Sequence, residues 1–276
     1  MIGPDRIALV TGGSSGIGLA VARLLAREGC HVWLVARQQD KLVAALSDVN
    51  AARRDDKQIC GSISADVSDP EQAFAAVEQV INEVGVPHLL INSAGVACPG
   101  YFYEQSLDAF HQMMDVNYFG TVYMAKAVLS GMIARGAGHI VNISSVAGFL
   151  GVFGYSAYGA SKFAVSGFSD ILRAELKPHG IYVSVVFPSD VDTPQLAYES
   201  QFRPVETRIL CDDLPIQSAE KVATAILHGV SRRRYVIAPS AVSNTLYWLI
   251  NTIRNVANPV MDWMVVLGKR KMGKNG

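Results

Sequence analysis

The sequence predicts an α/β fold: a doubly wound, parallel sheet of about seven strands, followed by a C-terminal helical extension. Three observations carry that reading. Apolar runs rich in β-branched residues alternate with stretches of helical spacing through most of the chain, a rhythm that requires crossover connections and a parallel sheet covered on both faces. A glycine-rich turn stands between the first apolar run and the first helical stretch. Half of the 276 residues are hydrophobic and 17% are charged, which allows a large buried core and argues against disorder.

Residues 7–10 read as the first strand. Residues 17–27 follow as a helix with Val21, Leu24 and Leu25 on one face and Gly29 as its stop. Then come a strand at 31–36, a helix at 40–51, a strand at 58–64, a helix at 70–83 and a strand at 88–92. One long helix is expected over 107–135. A strand at 139–143, a helix at 157–177, a strand at 182–187, a helix at 219–230 and a short strand at 235–238 complete the series. No repeat, low-complexity segment or linker interrupts it. Residues 1–240 are therefore expected to form one domain, with 241–276 as an appended extension.

Lys plus Arg and Asp plus Glu balance at 24 each, which removes the electrostatic case for nucleic-acid binding. Cys30, Cys60, Cys98 and Cys211 form no CxxC pair and no Cys/His ligand spacing. Neither a metal site nor a disulfide framework is expected, and a reducing, cytoplasmic setting fits. Residues 1–6 lead straight into the first strand, with no signal peptide or N-terminal membrane span expected.

The turn reads Thr11-Gly12-Gly13-Ser14-Ser15-Gly16-Ile17-Gly18. Glycines admit a tight bend and let backbone approach a pyrophosphate, while the helix start offers free N–H groups and a positive dipole end. Gly12, Ser14, Ser15, Gly16, Ile17 and Gly18 are thus candidate dinucleotide contacts, and the sheet is expected to be of the Rossmann type. The second strand ends Leu34-Val35-Ala36-Arg37 with no acid to bind the ribose hydroxyls of NAD. The planar fork of Arg37, with Lys41 four residues on, suits the 2′-phosphate of NADP(H). NADP(H) is the expected cofactor.

Tyr158-Gly159-Ala160-Ser161-Lys162 sets a phenol and an ammonium at i and i+4, on one face of a helix. A free phenol, with a pKa of about 10, shuttles protons poorly at neutrality. The neighbouring ammonium is expected to lower that value, about 1.4 kcal/mol for each unit, and so to make Tyr158 a general acid and base.

The glycine turn, Asn92-Ser93-Ala94-Gly95 after the fourth strand, Ser144-Ser145-Val146-Ala147-Gly148 after the fifth and the YxxxK element occur in order. Together, from about Ile7 to Thr193, they resemble the short-chain dehydrogenase/reductase family. The resemblance implies hydride transfer between a nicotinamide and a carbonyl or alcohol carbon. It implies Tyr158 as acid/base, Lys162 as the group that lowers its pKa and holds the nicotinamide ribose, and Ser145 as the hydrogen-bond partner of the substrate oxygen. Asn117, in Asp115-Val116-Asn117-Tyr118, would anchor a water linking Lys162 to solvent; capping or kinking a helix is its other open use. Asp66 would contact the adenine, or else cap the next helix. Asn92 and Thr193 complete the implied cofactor set. Ser144 is expected to face the packing side. Tyr155 lacks a lysine four residues on.

VARQQDKL, GVFGYSAYGASKFA, AELKPHGIYVSV and DVDTPQLAYESQFRPVETRIL resemble the part of that family that reduces the ketone of long-chain sphingoid bases with NADPH. Pro188-Ser189-Asp190, where the family usually has Pro-Gly, is a departure shared with that group. The implied substrate is a hydrophobic or lipid ketone, with a ketoacyl or steroid carbonyl as the other enzymatic option. A nucleotide-sensing protein without chemistry is the non-enzymatic one, against which Ser145, Tyr158, Lys162 and Asn117 argue. A homo-oligomer is also implied, with the helices near 108–135 and 157–177 as contact faces.

Residues 195–216 break the strand–helix rhythm and are expected to form a flap over the substrate, where Arg203, Glu206 and Arg208 would meet a polar head group. Farther on, Leu246, Leu249, Ile250, Ile253 and Val256 form an apolar stripe, Pro259 interrupts, and bases follow at 269–274. These stretches are too short to span a bilayer, which takes about 20 residues. Peripheral contact with an anionic membrane surface, a wall for an acyl chain and a subunit contact account for the stripe equally.

Overall fold

The computed structural model describes residues 1–211 and 214–252. Seven strands form one sheet: β1 (Ile7–Thr11), β2 (His31–Ala36), β3 (Cys60–Ser64), β4 (Leu89–Asn92), β5 (Gly138–Ile143), β6 (Ile181–Val186) and β9 (Val236–Ile237). They lie in the order β3-β2-β1-β4-β5-β6-β9, and every pairing is parallel. The chain winds outward from β1 in one direction, then returns to begin again at β4. That reversal opens a crevice at the carboxyl ends of β1 and β4, where sheets of this kind bind ligands.

Period-two alternation assigns each strand residue to a face. Ala8 and Val10 join Val32, Leu34 and Ile91 against α1 (Gly16–Arg27), α2 (Gln39–Ala51) and α9 (Ala219–Ser231). Ile7 and Leu9 join Val35, Leu90 and Ile140 against α3 (Pro70–Val84), α5 (Gly120–Arg135) and α6 (Ser156–Leu176). Two apolar layers thus sandwich the sheet. Asp69, rather than Asp66, caps α3: its carboxylate accepts from the Glu71 and Gln72 amides, with Pro70 at the first helical position. Asp66 Oδ1 instead accepts from the amide and hydroxyl of Ser68.

The helix expected over 107–135 is divided. α4 (Leu107–Met113) passes into a π-helical turn at Met114–Phe119 before α5 begins. Such turns cluster at functional sites, and this one carries Asn117. The flap segment contains α7 (Pro194–Glu199) and α8 (Val205–Cys211), neither visible as a helical period in the sequence. It leaves and rejoins the body through a parallel pair, β7 (Val191–Asp192) with β8 (Gln217–Ser218). α10 (Ala241–Thr252) opens the C-terminal extension, carrying Leu246, Leu249 and Ile250 of the apolar stripe. Ile253, Val256, Pro259 and the bases at 269–274 lie outside the described residues. Among the described residues no helix is long and apolar enough to cross a membrane.

Candidate active site

A cleft of about 670 Å³ opens at the carboxyl ends of β1 and β4 and runs beneath the flap. Gly12, Ser14, Ser15, Gly16 and Ile17 line one end, with Arg37, Lys41 and Asp66 beside them; Ser145, Tyr158 and Lys162 line the other, and Thr193 also borders it. The glycine turn has a steric reason for its composition. Gly12 has φ +64°, and a Cβ there would lie 2.7 Å from the Ser93 carbonyl oxygen. A Cβ on Gly18 would lie 2.3 Å from the Gly12 carbonyl oxygen. Gly18 therefore does not line the cleft; it lets α1 pack against the turn that does.

The start of α1, like those of α2 and α6, carries no side-chain cap. Asp69, Ser106, Thr193 and Ser218 cap α3, α4, α7 and α9 with their side chains. Ser15 makes no such bond at α1, and the first turn holds no acid. Unpaired amides and an uncompensated dipole end thus face the cleft, an arrangement suited to a phosphate anion. Cofactor phosphates fit this cradle of glycines and amides. Arg37, half exposed, stands 3.9 Å from Asp66 across the rim. The hydroxyl of Thr193 is spent locally, accepting from the Leu196 amide and donating to the Val191 carbonyl, while its methyl faces Gly16.

Asn92 departs from its expected place. Its side chain is buried below the cleft, where Nδ2 donates to Asn142 Oδ1 at 3.0 Å while its own Oδ1 meets no protein donor. Thr11 was not singled out from sequence, yet its hydroxyl accepts from the Ser93 and Ala94 amides, each at 3.1 Å, and ties the β4 loop to β1. A hydroxyl immediately before the glycines was the only available signal.

The two serines after β5 divide as expected. Ser144 faces inward, donating to the Lys162 carbonyl at 3.0 Å with Ser166 Oγ also 3.0 Å away. Ser145 faces the cleft and interacts with the Tyr158 phenol. Lys162, one helical turn beyond Tyr158, is buried; its Nζ donates to the Ile143 carbonyl at 2.9 Å and lies 5.6 Å from the Tyr158 ring centroid. Burial lowers the ammonium to about 8.

The expected depression of the Tyr158 pKa is reversed. Burial pushes the phenol well above its ordinary value, the charges of Glu199 and Asp190 push the same way, and Ser145 and Arg203 oppose them. Lys162 sits against the ring with its ammonium donating a hydrogen bond to the Ile143 carbonyl, so loss of water dominates at the hydroxyl. Asn117 is likewise engaged by protein groups. Its Oδ1 accepts from the Val96 amide at 2.8 Å, and its Nδ2 donates to the Val96 carbonyl and to Ser161 Oγ. The π turn presents this side chain to the β4 loop and to α6 together.

The flap charges are engaged within the protein. Arg203 is buried and paired with Asp190 and Glu199, Glu206 accepts from the Tyr101 hydroxyl at 2.8 Å, and Arg208 donates to the Arg203 and Ser200 carbonyls. Tyr155, Asp190 and Glu199 line the cleft beside Tyr158. Ser189-Asp190, following Pro188 where the family usually has glycine, was the one sequence sign of this cluster. Among the described residues no group of His, Cys, Asp and Glu is arranged to hold a metal.

The short chain dehydrogenase family model matches residues 6–203. Mouse (Mus musculus) 3-ketodihydrosphingosine reductase is 41% identical over 225 residues, covering 81% of this chain and 68% of the mouse protein. Zebrafish (Danio rerio) 3-dehydrosphinganine reductase is 41% identical over 220 residues, covering 79% and 66%. A short-chain dehydrogenase from Sphingobium yanoikuyae, solved in complex with NADPH, superposes with a TM-score of 0.78 at 31% identity, covering 91% of this chain and 94% of that one. A short-chain dehydrogenase/reductase from Burkholderia phymatum, solved with NAD, gives 0.80 at 26% identity, covering 92% and 95%. Matched over that span, with the sheet, glycine turn and Tyr-Lys helix in place, the chain belongs to the short-chain dehydrogenase/reductase family of oxidoreductases.

Proposed function

We propose that the protein reduces the ketone of a long-chain lipid at the expense of NADPH, with 3-ketodihydrosphingosine as the first substrate to test. The observation that carries the reading is the buried, protonated Tyr158 phenol facing Ser145 in a cleft that also holds the glycine turn and Arg37. The names of the mouse and zebrafish relatives support the substrate class. Val152, Leu196, Leu214, Val242 and Leu246 give the cleft apolar walls.

In this reading Gly12, Ser14, Ser15, Gly16 and Ile17 receive the cofactor phosphates, Arg37 and Lys41 the 2′-phosphate, and Asp66 the adenine; Thr193 borders the same site. The bound nicotinamide supplies the hydride that the carbonyl carbon accepts. Ser145 and Tyr158 hydrogen-bond the carbonyl oxygen and stabilise the negative charge growing on it. Tyr158 then passes its proton to that oxygen, leaving a secondary alcohol. A phenol held protonated by burial is in the state a reductase needs. Lys162 positions the ribose, and Asn117 fixes the Tyr-Lys helix against the β4 loop. The apolar outer face of α6, with Phe163 and Ile171 exposed, is where a second copy of the chain would dock in this reading.

The test is NADPH consumption with a long-chain 3-keto sphingoid base, a 3-ketoacyl thioester and a steroid ketone. Turnover is expected with the first. Turnover only with another would move the substrate class, and tight NADPH binding without any turnover would make the protein a sensor. Arg37→Ser tests the cofactor assignment without placing a second acid beside Asp66. Losing one charge-assisted bond to phosphate should reduce the preference for NADPH over NADH about 10- to 100-fold. An unchanged preference would show that Arg37 does not read the phosphate.

A further inference from the structure

The cleft holds a second set of charges that hydride transfer does not use. The Nη1 and Nη2 atoms of Arg203 donate to the two oxygens of Asp190 at 2.7 and 2.9 Å, and Nη2 also reaches Glu199 Oε1 at 3.1 Å. Its Nε donates to the Tyr155 hydroxyl at 2.8 Å. Tyr155 in turn packs edge-on against Tyr158, with ring centroids 5.7 Å apart. Tyr155, Asp190, Glu199 and Arg203 all line the same cleft as Ser145 and Tyr158.

One guanidinium therefore faces two carboxylates beside the reacting phenol. Asp190 holds both Nη atoms of Arg203 in a two-pronged bond and ties the segment after α7 to the end of β6, whereas Glu199, the last residue of α7, shares only Nη2. Glu199 is the less compensated of the two acids. It is also buried, where a charge without full compensation is unfavourable, and burial pushes its carboxyl up to about 7 against the pull of Arg203. The group is one positive charge short of balance.

We propose that Glu199, with Asp190 behind it, is a specificity-determining residue that reads a primary ammonium on the carbon next to the substrate ketone. The proposal rests on the ketone-reductase reading and assigns the residue that would select the amine of a 3-keto sphingoid base. An ammonium brings the missing charge and three N–H donors for carboxylate oxygens. Held there, it fixes the adjoining carbonyl beside Ser145 and Tyr158. A neutral ketone of equal length would bring Glu199 no charge beyond the Arg203 Nη2 it shares with Asp190 and the Tyr155 hydroxyl, which is discrimination by an under-compensated group.

The experiment compares two ketones of equal chain length and nearly equal shape, a 2-amino-3-ketone and the corresponding 2-hydroxy-3-ketone, with NADPH. The wild type is expected to favour the amine in kcat/KM by about tenfold or more, and Glu199→Gln to cut that ratio by about tenfold or more. Structural damage alone would lower both ketones together and leave the ratio unchanged, so an unchanged ratio overturns the proposal. Should Glu199→Gln fail to fold, inhibition of the wild type by a long-chain 2-amino alcohol is compared with inhibition by the matching diol. Tighter binding of the amine by about tenfold supports the proposal, and equal binding overturns it. Equal turnover of both ketones by the wild type defeats this assignment and leaves the reductase reading intact; turnover of neither defeats the reductase reading itself.

Discussion

Tyr158→Phe is expected to lower kcat for ketone reduction by about a thousandfold, within the 10²–10⁴ range that a positioned proton donor contributes, while NADPH still binds. The substitution keeps the ring, and with it the edge-on contact to Tyr155, but removes the buried phenol hydroxyl that meets Ser145 in the cleft. Ser145 remains to polarise the carbonyl, yet its Oγ accepts from the Ala147 amide, and a serine hydroxyl is a far weaker acid than the phenol it would replace. Steady-state turnover with the responsive ketone and fluorescence titration with NADPH separate the two effects. Turnover within tenfold of the wild type would remove Tyr158 from the chemistry.

Gly18→Ala is expected to weaken NADPH binding by about 100-fold and to lower stability by about 1–3 kcal/mol, as overpacking does. The added methyl meets a backbone carbonyl, that of Gly12, at 2.3 Å, and no side chain is present to swing away. Gly12 cannot yield readily either, being pressed against Ser93 in a left-handed conformation. The phosphate turn must therefore move or α1 must lift. Gly151→Ala serves as the control, since a Cβ there meets nothing within 4 Å. It should be neutral or stabilising by about 0.4–1 kcal/mol, as Ala for Gly is where the backbone conformation suits both. Thermal melts and NADPH titrations of the two variants give the comparison. Unchanged NADPH affinity in Gly18→Ala would mean the turn does not hold the phosphates.

Most of the sheet was legible because its strands obey a strong local rule. Val10, Leu34, Ile91 and their neighbours are apolar on both faces, and glycines and helical stripes punctuate them. The π turn at Met114–Phe119 was not legible, since one widened turn barely disturbs a pattern read over 29 residues. α7 and α8, six and seven residues long, are too short to show a period at all. At the site, motif position located Ser145, Tyr158 and Lys162 in the cleft but could not reveal direction. Asn92 follows its strand as the motif says, and only the strand register turns it down toward Asn142. The sign of the Tyr158 shift was beyond sequence for a related reason. Spacing along a helix shows that Lys162 is near, whereas the competing loss of water depends on everything packed around the ring. Arg203, Glu206 and Arg208 looked like free charges because their partners, Asp190, Glu199, Tyr101 and two backbone carbonyls, lie on other turns of the chain.

The flap's attachment bears on how such enzymes change what they accept. Its outgoing and returning strands, β7 and β8, pair side by side, and the Gln217 amide donates to the Asp190 carbonyl at 3.0 Å where they meet. An excursion whose two ends share one doorway can be lengthened, shortened or exchanged without shifting the register of the seven-stranded sheet. In the reading proposed above, substrate preference is inherited as a cassette: a graft from 194 to 216 is expected to transplant into another member of the family and carry its selectivity along, while the glycine turn, Ser145, Tyr158 and Lys162 of the host stay in place.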